Sequence, residues 1–80
     1  MAEKYACRCC GFLTLGEEGG YEICSVCYWE DDPGGEDGGG ANAVSLRDAR
    51  ENFATYGASE ERFQSAVRVP LPEESPPKTD

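Results

Sequence analysis

Four cysteines stand in two C-x2-C pairs, Cys7 with Cys10 and Cys24 with Cys27, with 13 residues between the pairs. No other feature restricts the fold of this chain as strongly. A tight turn over C-x2-C presents two sulfurs to one ion, and backbone N–H groups beyond the turn can point at those sulfurs and relieve their charge. Two such pairs complete the tetrahedral set that zinc prefers, and a chain without histidine must build that set from thiolates. Cys7, Cys10, Cys24 and Cys27 are therefore expected to hold one Zn2+ per chain, with iron as the minor alternative. Gly11 is placed to take the positive φ that the first turn requires. Cys9 lies next to Cys10, where two adjacent thiols chelate one ion poorly. It reads as a small apolar side chain beneath the turn, the alternative being a spare thiol for exchange or redox sensing.

The chain has 80 residues, enough for one small domain, and domains of this size commonly need a metal or disulfide staple. An odd count of five cysteines argues against a fully disulfide-paired monomer. The first residues lack the apolar core of an export signal, and no apolar run has the length of a membrane span. The expectation is a cytoplasmic protein with reduced thiols and no membrane partner, a setting in which paired C-x2-C motifs read as metal or redox sites. The net charge is −9 and unevenly spread. Residues 11–46 carry Glu17, Glu18, Glu22, Glu30, Asp31, Asp32, Glu36 and Asp37 without a single Lys or Arg. Phosphate backbones select clustered cations, so nucleic acid is an unfavourable ligand for this half. A basic protein surface suits it better, unless the acids serve only solubility.

The expected fold is a small α+β metal-stabilised domain, a zinc-ribbon-like β-hairpin with two CxxC knuckles followed by one or two short helices. Residues 12–15 and 21–24 are β-prone and flank the glycine-bearing run 16–20, which predicts that they pair as a hairpin. Residues 30–43 read as a solvated Gly- and Asp-rich loop lacking the residue order of an EF-hand. Ser45 is an N-cap candidate, Asp48 suits the first helical turn, Leu46, Ala49, Phe53 and Tyr56 share one face, and Gly57 is a stop. A second short helix is expected after Ser59, with Phe63, Ala66 and Val67 turned inward. Tyr28 and Trp29 are expected to cap the site and pack on the helix through Phe53, with an exposed aromatic patch as the alternative. The domain is expected to span residues 1–69, with a disordered acidic, Pro-rich tail over 70–80.

The stretches CRCCGFLTL at 7–15, GGYEIC at 19–24 and CYWEDD at 27–32 resemble the bacterial cysteine-rich CPCC domain. The run SLRDARENF at 45–53, followed by Tyr56-Gly57-Ala58, extends that resemblance to roughly residues 5–70. It implies a small zinc-ribbon-like bacterial protein and carries over Cys7, Cys10, Cys24 and Cys27 as ligands, without implying an activity. The family places proline after the first cysteine of each pair, where this chain has Arg8 and Ser25. Losing a compatible proline costs about 0.4–1 kcal/mol, small against the metal term, and Arg8 brings positive charge towards an anionic cluster.

Four thiolates leave no open position for activated water, and without histidine no Ser-His or Cys-His unit can be built. The expected function is thus a non-catalytic zinc protein with a structural four-cysteine site, acting as a protein-interaction or regulatory module for a partner with a basic surface. The alternatives are an iron electron carrier of rubredoxin type and a nucleic-acid-binding zinc ribbon. The first has a mismatched spacing between its pairs; the second has only Lys4, Arg8 and the helical arginines for a basic face.

Overall fold

The computed structural model describes residues 4–38 and 40–75. Two irregular hairpin-like loops come first, each bent around one cysteine pair. Strand β1 (Tyr5–Ala6) runs antiparallel to β2 (Leu13–Leu15), with Tyr5 opposite Leu15 and Ala6 opposite Leu13. That register leaves Thr14 as an extra residue in β2, a bulge of the kind that re-aims a side chain. In the second loop Ile23 bridges Glu30, and further backbone bonds run from Asp31 N–H to the Glu22 carbonyl at 2.8 Å and from Tyr21 N–H to the Asp31 carbonyl at 3.0 Å.

This pairing corrects the expected hairpin. Residues 12–15 pair with Tyr5–Ala6 across the first cysteine turn, and residues 21–24 fold back on 29–31 across the second, so the two runs do not pair with each other. Each arm is closed over its own turn by backbone hydrogen bonds, Cys7 N–H to the Phe12 carbonyl in the first and Cys24 N–H to the Trp29 carbonyl in the second, so each turn satisfies its own backbone groups and fixes its partners locally. The run 16–20 acts as a connector. Its Gly16 N–H donates to Glu22 Oε1 at 2.9 Å and its Gly19 N–H to Asp31 Oδ2 at 2.5 Å.

Three polar side chains of the run 30–43 are also less solvated than its composition suggests. Asp31, Asp32 and Asn42 are buried. Asp32 accepts from Gly34 N–H at 3.0 Å and from Ala41 N–H at 2.9 Å. Asn42 grips Glu30 at both backbone groups, accepting from its N–H at 2.9 Å and donating to its carbonyl at 2.8 Å. A buried carboxylate needs such donors, and a Gly-rich loop offers them because its N–H groups have no ladder to join. These acids are internal loop fasteners.

Helix α1 spans Leu46–Tyr56. Its start follows from Ser45, whose Oγ accepts the Asp48 N–H at 3.0 Å. Its end follows from Gly57, left-handed at φ 77°, whose N–H donates to the Phe53 carbonyl at 2.9 Å. Leu46 and Ala49 are buried and Phe53 half-buried, meeting Phe12 edge-on with ring centroids 6.4 Å apart. Tyr56, expected inward, is 36% exposed, because the helix turns it past the rim of the core. After α1 the chain returns to the second cysteine turn: Ser59 N–H donates to the Cys27 carbonyl at 2.7 Å and Arg68 N–H to the Ser25 carbonyl at 3.1 Å. Between them lies a 3-10 turn, Glu61–Phe63, where the expected second helix falls; Ala66 is exposed, while Phe63 and Val67 are half-buried.

The core joins Cys7, Cys9, Leu15, Cys24, Val26, Cys27, Trp29, Leu46 and Ala49. Of the expected tail, residues 76–80 lie outside the described residues. Residues 70–75 include a second 3-10 turn, Pro72–Glu74, tied down by Arg68 to Glu74 bonds of 2.9 and 2.7 Å. The Arg68 guanidinium, helped by the Leu71 N–H, lowers the Glu74 carboxyl to about 2. Among the described residues, no helix is long and apolar enough to cross a membrane.

Candidate metal centre

The two cysteine turns share one hydrogen-bond pattern. In the first, Gly11 N–H donates to the Cys7 carbonyl at 2.8 Å and Cys7 N–H to the Phe12 carbonyl at 2.9 Å. In the second, Tyr28 N–H donates to the Cys24 carbonyl at 2.7 Å and Cys24 N–H to the Trp29 carbonyl at 2.9 Å. Cys7, Cys10, Gly11 and Phe12 thus correspond in turn to Cys24, Cys27, Tyr28 and Trp29. The residue after each pair is left-handed, Gly11 at φ 83° and Tyr28 at φ 70°. For a tyrosine that backbone is unfavourable, and the Tyr28 ring is held by packing at 4.6 Å between centroids on Phe63. The following residue turns inward in both loops: Phe12 packs against the core, and Trp29 is 1% exposed within it. Trp29 is therefore a packing residue, not part of an exposed patch.

These turns bring the four expected sulfurs together. The Sγ atoms of Cys7, Cys10, Cys24 and Cys27 all lie within 4.8 Å of one another. Cys7 to Cys27 is 3.5 Å and Cys10 to Cys24 is 3.6 Å. Sulfurs at the corners of a regular tetrahedron around an ion with Zn–S near 2.3 Å sit about 3.8 Å apart, so the cage has the right size. None is in a disulfide. Four cysteines here could hold a metal ion.

Electrostatics fits the same reading. Thr14, turned by its bulge, donates its hydroxyl to Cys24 Sγ at 3.0 Å. Cys24 is held far below the ordinary thiol range, first by Cys10, then by Cys27 and Cys7 as donors, with Thr14 adding to them. Cys10 is pushed far above that range, first by its bond to Cys24, and Cys27 likewise, first by Cys10. Sulfurs this close cannot all be anionic on their own: those that ionise force their neighbours to keep protons. A bound dication reverses that conflict and lets all four ionise.

Three contacts around the cage were not legible in the motif. Thr14 supplies the hydroxyl just described; a polar residue inside the apolar run 12–15 was its only signal. Arg8 does not serve the cluster as a free counter-charge: it pairs with Glu36 at 2.7 Å and lies 4.0 Å from Asp31, tying the first turn to the acidic loop. Arg50 Nε donates to the Arg8 carbonyl at 2.8 Å, fastening α1 to the same turn. Cys9 is buried in the core, outside the set of four.

The left-handed turn residues give a direct test. Nothing lies within 4 Å of where a Cβ on Gly11 would stand, so Gly11→Ala should cost only the backbone term. That term is about 1–2 kcal/mol, or roughly a 5- to 30-fold weaker apparent metal affinity, since binding and folding are one equilibrium. Chelator competition measures it; unchanged affinity would show that the first turn does not hold this conformation when loaded.

A protein-family model described as "Cysteine-rich CPCC" matches residues 5–74. No curated protein matches the chain.

Proposed function

The chain belongs to the cysteine-rich CPCC family, and from that premise we propose that it is a non-catalytic zinc protein whose four-cysteine site is structural and whose acidic surface meets a basic protein partner. The observation that carries the metal reading is the convergence of four sulfurs, three of them at most 1% exposed, within 4.8 Å of one another. Four thiolates fill the positions of a tetrahedral ion, the arrangement of closed structural sites. A cluster kept as thiolates belongs in a reducing compartment, which favours the cytoplasm.

The partner reading draws on the acids left over once the fold has taken its share. Glu22, Asp31 and Asp32 fasten loops and Glu36 pairs with Arg8. Glu17, Glu18 and Asp37 are exposed and have no basic residue between 11 and 46 to offset them. Exposed carboxylates without nearby cations attract a cationic surface and repel a phosphate backbone, which favours the protein-partner reading over the nucleic-acid one.

Elemental analysis of protein purified without added metal should give one equivalent of zinc per chain. Well-folded protein with neither zinc nor iron would sink the metal site. Red protein with thiolate-to-iron absorption would instead favour the electron-carrier reading, for which a four-sulfur cage is equally suited. For the partner, charge reversal at Glu17, Glu18 and Asp37 should abolish capture of a basic protein from host extract; capture indifferent to these changes and to salt would refute the acidic-face reading.

A further inference from the structure

The four sulfurs differ sharply in access. Cys7, Cys24 and Cys27 are at most 1% exposed, whereas Cys10 is half-buried and reaches the surface. Their spacing is also uneven: the short contacts join one cysteine of each turn to one of the other, Cys10 to Cys24 at 3.6 Å and Cys7 to Cys27 at 3.5 Å. We propose that Cys10 is an oxidative modification site, that hydroperoxides are its reactants, and that Cys24 of the opposite turn is its resolving partner, so that the metal centre doubles as a peroxide-responsive release site. The inference rests on the metal-site reading above.

The chemistry uses the chain's own sulfurs. The Cys10 thiolate attacks the outer peroxide oxygen; an S–O bond forms, the O–O bond breaks, and the leaving alkoxide or hydroxide takes a proton from water, leaving Cys10 as a sulfenic acid. The Cys24 thiolate then attacks the Cys10 sulfur; an S–S bond forms, the S–O bond breaks, and hydroxide leaves and is protonated to water. Two thiolates have lost two electrons to one peroxide, which ends as an alcohol (or water) and a water. Thr14 donates its hydroxyl to Cys24 Sγ at 3.0 Å, which fixes that sulfur 3.6 Å from Cys10 Sγ. Cys7, Cys9 and Cys27 compete less well for this first step: all three are buried, and Cys9 lies outside the cage. With two of its four donors tied in a disulfide, the cage no longer holds an ion.

The covalent product is readable because the chain cuts between its cysteines. Trypsin and a Glu-specific protease together place Cys7 in residues 5–8, Cys9 and Cys10 in 9–17, and Cys24 and Cys27 in 23–30. Metal content is measured first. The loaded protein is then titrated with hydrogen peroxide while a chelating dye reads metal release, free thiols are blocked with N-ethylmaleimide, and the peptides are mapped by tandem mass spectrometry. The expected first product joins 9–17 to 23–30 through Cys10 and Cys24, with Cys7 recovered blocked, and it forms in step with metal release. Cys9→Ala should give the same product. A first disulfide that includes Cys7, Cys9 or Cys27, or loaded protein that keeps its metal and its thiols, overturns the inference. Protein that carries no metal before peroxide is added overturns the metal-site reading instead, so the two failures are told apart.

Discussion

Stripping the metal from the folded protein is expected to abolish the near-UV signal of Trp29 and the helical far-UV signal of α1 in one transition. The core explains why. Its buried members include three candidate ligands, Cys7, Cys24 and Cys27, and only Leu15, Val26, Trp29 and Leu46 supply sizeable apolar side chains. Strands β1 and β2 have two and three residues, far below what a two-stranded ribbon needs to stand alone. Helix α1 has 11 residues, and helices shorter than about 12–15 residues are marginal in water. It is held by Leu46, Ala49 and Phe53 against the cage and by Arg50 against the Arg8 carbonyl, so it has nothing to pack on once the turns separate. A structural zinc ion contributes about 10–16 kcal/mol of apparent binding energy, as much as the whole stability of a typical domain, about 5–15 kcal/mol. Excess chelator should therefore drive both signals down together, and added zinc should bring both back. Helicity that survives in metal-free protein would show that α1 has a core of its own. The ion would then be a local clip, and the metal-nucleated view of this domain would fail.

What could be read from the sequence was what is encoded locally. Ser45, Asp48 and Gly57 act on their own backbone, and α1 begins and ends where they stand. The cysteine set is local too, because each C-x2-C fixes its own turn, and the four sulfurs meet as the spacing implies. Strand partners are not local information. Tyr5–Ala6 is too short to announce itself, so the pattern of β-prone runs points 12–15 at 21–24, although 12–15 already has its partner across the turn at Cys7–Gly11. Asp31 and Asp32 are hidden for a different reason: composition cannot tell a solvated carboxylate from one that accepts backbone N–H groups, as Asp32 does from Gly34 and Ala41. Trp29 was open to two readings because its burial depends on the second turn copying the first. The sequence disguises that copy by placing Tyr28 where the first turn has Gly11.

Cys10→Ser is expected to lose stoichiometric metal and, with it, the fold, whereas Cys9→Ser keeps one ion per chain. The two positions are adjacent, so composition and neighbourhood are nearly held constant and geometry alone separates them. Cys10 Sγ stands 3.6 Å from Cys24 Sγ and within 4.8 Å of every other sulfur in the cage. A serine there offers a hydroxyl that does not ionise near neutral pH, and the soft tetrathiolate set is broken. Cys9 faces the apolar core at 8% exposure. Serine at that site buries a hydroxyl in place of a small apolar thiol and should cost about 1–3 kcal/mol of stability. Cys9→Ala, which adds no polar atom, should cost less. Native mass spectrometry counts the ion in each variant, and chelator competition ranks the affinities: Cys9→Ala nearest the parent, Cys9→Ser weaker, Cys10→Ser without measurable retention. Acid should act in the same direction on the parent, because each thiolate regains its proton as the pH falls and competes with the ion. Equal metal loss in Cys9→Ser and Cys10→Ser at matched stability would mean that the adjacent thiol is a ligand, and the cage would have to be redrawn around Cys9.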